Sequence, residues 1–82
     1  MTTSPKSVTF DDDNFWVALS DGRTLGVPLA WYPRLLNATT NQRRQYELSA
    51  RGIHWDLLDE DISVDGLLAG RGDMTRHRQA VA

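Results

Sequence analysis

The dipeptide Asp21-Gly22 stands between two strand-like runs, Phe15-Trp16-Val17-Ala18-Leu19 and Thr24-Leu25-Gly26-Val27-Pro28. A tight turn between antiparallel strands needs positive φ, which glycine adopts at no steric cost, so Asp-Gly here specifies a hairpin. Upstream, Val8-Thr9-Phe10 alternates and then meets Asp11-Asp12-Asp13-Asn14. Asp and Asn side chains bond their own backbone and end strands, so this cluster is a turn. Three strands in an antiparallel meander follow. Pro28 lacks a ladder donor, which places it at a strand end or on an edge. Residues 1–6 form a frayed polar start.

The second half changes character. Tyr32 precedes Pro33 and is biased away from helical angles, whereas Pro33 suits the first turn of a helix. Thr39 and Gln42 have capping-box spacing, so a further helix starts at Thr39 and runs to about Leu48. Its polar face carries Arg43, Arg44 and Glu47, with Tyr46 turned inward and Gly52 as the left-handed stop. Ile53-His54-Trp55 is a short extended piece, and residues 56–61 are an acidic loop. Ser63 caps a last short helix over 64–69, with Asp65 in its first turn, and Gly70 ends it.

These elements make a small α+β domain over residues 1–70, a three-stranded meander with short helices on one face, and a flexible tail over 71–82. The expected core is Phe10, Trp16, Leu19, Leu25, Val27, Leu35, Trp55, Leu58 and Leu67. Trp31 is expected to point inward. Tyr32 and Arg34, beside Arg43 and Arg44, are expected at the surface.

A chain of 82 residues buries only roughly 60–65% of its unfolded surface, which leaves little room for an enclosed active site. No cysteine is present, so a disulfide framework and a thiolate zinc site are excluded. The net charge of −2 argues against a polybasic nucleic-acid binder. The opening MTTSPK has no apolar signal region and the longest clean apolar run is Phe15 to Leu19, so the expected location is cytoplasmic.

The candidate chemistries weigh unequally. Asp59, Asp61, Ser63 and Asp65 match the first four ligand positions of a calcium loop. The glycine then falls at the wrong place and Gly70 stands where a bidentate glutamate belongs, so no metal is expected. His54 with a nearby carboxylate, Asp56 or Asp59, could serve a small enzyme. The dispersed glycines fit no phosphate loop, and no cofactor is expected. Arg34, Arg43, Arg44 and Arg51 lie near Trp31, Tyr32 and Trp55 in sequence, a mixture that nucleic acid can use. The same arginines also serve to cover a helix face. Tyr, Trp and Arg are the commonest hot-spot types at protein interfaces. Tyr32, Arg34, Arg43 and Arg44 are therefore the candidate residues of a protein-binding face. A segregated charge pattern, basic over 34–51 and acidic over 56–65, suits a homodimer as well.

The blocks DGRTLGVPL, WYPRLLNAT, NQRRQYEL and GIHWDLLDEDISVDGLLAG, in that order over about residues 7–70, resemble the bacterial family known as domain of unknown function 2442. The resemblance implies a small cytoplasmic α+β protein without established catalysis, and it carries over no catalytic or ligand residues. Some members resemble the N-terminal half of helix-turn-helix proteins. Others lie beside a second small protein in an arrangement like a toxin–antitoxin pair. After Gly70 too few residues remain for a DNA-binding domain, so direct operator binding is not expected. The expected function is a non-enzymatic protein-interaction module, antitoxin-like or regulatory, or a phage inhibitor of a host defence protein. Its partner would be another small protein, such as a toxin or a defence component. A nucleic-acid-binding regulator and a His54 enzyme are the alternatives.

Overall fold

The Asp21-Gly22 turn forms as its residues dictate. In the computed structural model, which describes residues 3–70, Gly22 has φ 95° and joins β2 (Asn14–Leu19) to β3 (Thr24–Pro28). The Asp21 carboxylate accepts the Arg23 backbone N–H at 3.0 Å and pairs with its guanidinium at 2.7 Å. Before β2, Asp11 Oδ1 accepts the backbone N–H groups of Asp13 and Asn14, closing the turn from β1 (Pro5–Phe10). The first sheet is the expected meander, ordered β1-β2-β3.

Two corrections concern this half. Pro5 and Lys6 belong to β1, and Ser4 donates its hydroxyl to the Ala50 carbonyl at 2.7 Å, so the start is tied down well before residue 6. Trp16 lies on the outer face and is 40% exposed. Strand geometry requires this: Phe15, Val17 and Leu19 share one side and are buried, so Trp16 takes the other.

The second half contains a sheet that the sequence reading missed. A single 3₁₀ turn (Leu29–Trp31) leads to α1 (Pro33–Leu36), and α2 (Thr40–Arg43) follows. The capping box is present, with Gln42 N–H donating to Thr39 Oγ1 at 3.1 Å and Thr39 N–H to Gln42 Oε1 at 2.8 Å. The helix does not reach Leu48. It ends at Arg43, and β4 (Glu47–Leu48) pairs antiparallel with β5 (Gly52–Trp55), which pairs with β6 (Glu60–Ser63). Tertiary pairing overrides local helix preference here. The Tyr46 ring packs 6.0 Å from Trp55, and its hydroxyl bonds both Val8 N–H and Val8 carbonyl on the outer edge of β1.

Gly52 is therefore a strand residue and no helix stop. The acidic loop is also shorter than expected, because Glu60 and Asp61 are in β6 and the turn is residues 56–59, with Asp59 at φ 51°. Ser63 caps α3 (Val64–Leu68) by accepting Gly66 N–H at 2.9 Å, and Gly70 closes it at φ 75°. The expected tail over residues 71–82 lies outside the described residues.

The two sheets meet through aromatic rings. Phe15 lies 5.9 Å from Phe10, 5.8 Å from Tyr32 and 6.5 Å from Trp55, mostly in tilted or edge contacts. Leu19, Val27, Leu35, Trp55 and Leu67 are buried as expected, and Phe10, Leu25 and Leu58 pack half-buried against them. Val8, Phe15, Val17, Leu29, Ile53, Ile62 and Val64 complete the core. Trp31 is 39% exposed, contrary to expectation, because the buried side chain of its 3₁₀ turn is Leu29.

A Cβ at Gly52 would lie 2.4 Å from the Ile62 carbonyl oxygen, so β5 and β6 approach as closely as only glycine permits. Gly52→Ala should destabilise the fold by about 1–3 kcal/mol, as overpacking against backbone does. Urea unfolding measures this as a lowered midpoint at unchanged slope.

Candidate functional site

The four expected face residues separate into different roles. Tyr32 is buried, with 4% exposure, inside the aromatic cluster. Its place in a surface patch is therefore corrected: Pro33 starts α1 outward and the tyrosine before it turns in. Arg34 donates through Nη1 to the carbonyl oxygen of Asp59, the left-handed residue of the β5–β6 turn. Arg43 serves the interior. Its Nε donates to the Leu35 carbonyl and its Nη2 to the Leu36 carbonyl, both at 2.9 Å, capping the end of α1. The guanidinium also lies 5.6 Å above the Phe10 ring, and the Arg43 carbonyl accepts the Trp55 indole N–H at 2.9 Å.

Arg34 and Arg44 are both exposed, and of the four only the Arg44 side chain makes no hydrogen bond or ion pair among the described residues. It lines a cleft of about 380 Å³ with Val8, Thr9 and Phe10 of β1, Asp11 and Asp12 of the following turn, and Thr40 and Arg43 of α2. Asp11 links this cleft to the sheet face, because its Oδ2 accepts the Trp16 indole N–H at 2.8 Å. That bond first, and the two backbone N–H groups after it, hold the Asp11 carboxyl below the usual aspartate range. A cation and a fixed carboxylate thus line one cleft, and an exposed indole adjoins the carboxylate.

The family of proteins of unknown function DUF2442 matches residues 5–73. The chain belongs to this family. A DUF2442 chain of this kind has solved structural relatives of equally unassigned role. A protein of unknown function from Rhodospirillum rubrum superposes with a TM-score of 0.75 at 27% identity, covering 89% of this chain and 93% of that one. An uncharacterised protein from Chromobacterium violaceum, solved by solution NMR, gives 0.73 at 28% identity, covering 85% of this chain and 68% of that one. No curated protein matches the sequence.

The His54 side chain of this DUF2442 domain projects from the outer face of the second sheet, opposite the buried Ile53 and Trp55, as strand alternation expects. Its Nε2 lies 3.4 Å from Asp56 Oδ1 and its Nδ1 3.5 Å from Asp61 Oδ1. Asp59, the other candidate partner, instead forms the turn. Asp61 faces His54 directly across the β5–β6 ladder. The Asp56 hydrogen bond, with Asp61 adding to it, raises the His54 pKa above 6.5. Among the described residues no group of three or more His, Cys, Asp or Glu could hold a metal ion, and none of their helices is long and apolar enough to cross a membrane. His77 lies outside the described residues.

Sequence reasoning missed Trp16, Asp11, Asp12 and Thr40 as site residues. Two signals were available. Trp16 has the opposite strand parity to Phe15, Val17 and Leu19. Asp11 sits five positions before it across a tight turn.

Arg43→Met should lower stability by about 2 kcal/mol, since it removes charged donors from two helix-end carbonyls. Arg44→Met should stay within about 0.5 kcal/mol. Chemical denaturation of the pair separates the structural arginine from the exposed one. For His54, protonation in the folded state adds stability that is full below pH 6.5 and is lost as pH rises through the raised folded value. An NMR titration should place its midpoint above 6.5, and Asp56→Asn should lower that midpoint.

Proposed function

We propose that this protein is a non-enzymatic protein-interaction module, an antitoxin-like or regulatory partner of another small protein in a bacterial or phage setting. The observation that carries the reading is the exposed Arg44 in a cleft that Asp11 and Asp12 also line. A partner with an acidic side chain for Arg44 and a basic one for the aspartates would meet opposite charges within one cleft. Arg is a hot-spot residue type at interfaces. Arg34 and Arg43 belong to the scaffold under this reading, so the binding contribution falls on Arg44. The same division weakens a nucleic-acid reading, because two of its four arginines are committed to backbone carbonyls.

A second reading, a small enzyme centred on His54, draws support from the carboxylates on either side of the imidazole. It requires His54→Ala to abolish function with the fold intact, whereas the interaction reading tolerates that change.

The test is affinity purification of the full chain expressed in its native host. A stoichiometric partner, encoded beside it, is the expected result. Arg44→Glu should reduce recovery at least about tenfold, the scale of a lost charge pair at an interface, with an unchanged unfolding midpoint. Absence of any stoichiometric partner would sink the reading.

A further inference from the structure

Along the outer edge of β3 in the first sheet, the backbone N–H groups of Thr24 and Gly26 make no hydrogen bond among the described residues. The hydrogen bond from Leu19 N–H to the Arg23 carbonyl sets the ladder, and the register then makes Val17 and Leu25, and Phe15 and Val27, the bonded pairs. The backbone groups of Thr24, Gly26 and Pro28 consequently point away from β2. They present two N–H donors and three carbonyl acceptors in a row, of which the Pro28 carbonyl also accepts the Trp31 N–H that opens the 3₁₀ turn. Natural edges are usually guarded by charged side chains or a covering element. Here the cross-strand rows beside the edge, Thr9–Trp16–Gly26 and Ser7–Ala18–Thr24, carry no charge.

We infer that β3 pairs antiparallel with β3 of a second copy of this chain, about a two-fold axis at Gly26. The donor pattern is self-complementary in that register. Gly26 faces its own copy, and the two exchange both N–H groups. Thr24 faces Pro28, so each Thr24 N–H meets the second lone pair of a proline carbonyl whose first serves the 3₁₀ turn, and the missing proline donor costs one bond at each end. Four inter-chain bonds use the whole strand, and two three-stranded sheets become one of six. The side chains agree with this. A Cβ on Gly26 would lie 2.5 Å from Trp16 Cζ3, so the indole covers the glycine and leans across β3 toward the open edge. The two-fold axis would bring both indoles to the same face, on either side of the paired glycines, and bury the exposed part of each ring. On the inner face Leu25 would stand opposite Val27 of the copy, extending the apolar layer. The edge is separate from the cleft lined by β1 and α2, so either can fail without the other.

The test is sedimentation equilibrium of the full chain from about 1 µM to about 500 µM, where mass action reveals a dimer. A monomer–dimer equilibrium is expected. The double variant Thr24→Lys with Pro28→Lys places like charges opposite each other twice and should weaken the dimer at least about tenfold. Thr24→Lys with Pro28→Asp places opposite charges at the same two points and should retain it. In the unaltered chain, amide exchange at Thr24 and Gly26 should slow as concentration rises. A monomer throughout the range, a dimer indifferent to the lysine pair, loss in both double variants, or concentration-independent exchange at both amides would each overturn the proposal.

Discussion

Arg43 and Trp55 hold the two halves of this molecule in one arrangement. The indole N–H of a fully buried tryptophan must find an acceptor, and it finds the Arg43 carbonyl at the end of α2. The same residue's guanidinium then satisfies the last carbonyls of α1. One side chain and one carbonyl thereby relate two helices of four residues each to the central strand of the second sheet. Helices so short have no independent stability. They persist because their ends are closed by groups fixed elsewhere, and those groups are fixed because the aromatic cluster is packed.

The first sheet was legible because its information is local. Asp21-Gly22 determines a turn, and Asp11 closes the other with its own side chain. The second sheet was hidden because β4 has two residues and its sequence, Glu-Leu, follows a capping box and a run of good helix formers. What selects the strand is contact at a distance: Tyr46 reaches Val8, and Leu48 pairs with Ile53. Gly52 read as a helix stop for the same reason. Its actual requirement is the close approach of the β6 backbone, which only the folded chain reveals.

The candidate site was less legible than the fold. Arg34, Arg43 and Arg44 were expected together at the surface, yet their duties differ by orientation. Arg43 and Arg44 are neighbours in sequence, and one points into the structure while the other points out. A capped helix of one turn offers no periodicity from which to tell them apart. Trp16 was expected in the core, and strand parity was the overlooked signal: it stands opposite to Phe15, Val17 and Leu19, which are buried. The His54 arrangement was partly legible, because alternation put the imidazole outside. Which carboxylate it meets depends on a four-residue turn and a cross-strand register.

The phenol of Tyr46 has a consequence beyond packing. By taking both outward hydrogen-bonding groups of Val8, and with Ser4 anchored to Ala50, it closes part of the β1 side of the first sheet. A sheet open on both sides can add copies without limit and grow into a fibre. One sealed on a single side has a fixed stopping point, because a two-fold contact through the remaining side leaves no further edge to recruit. A single hydroxyl thus obstructs strand addition at the middle of the β1 edge, a safeguard for a small β-rich chain.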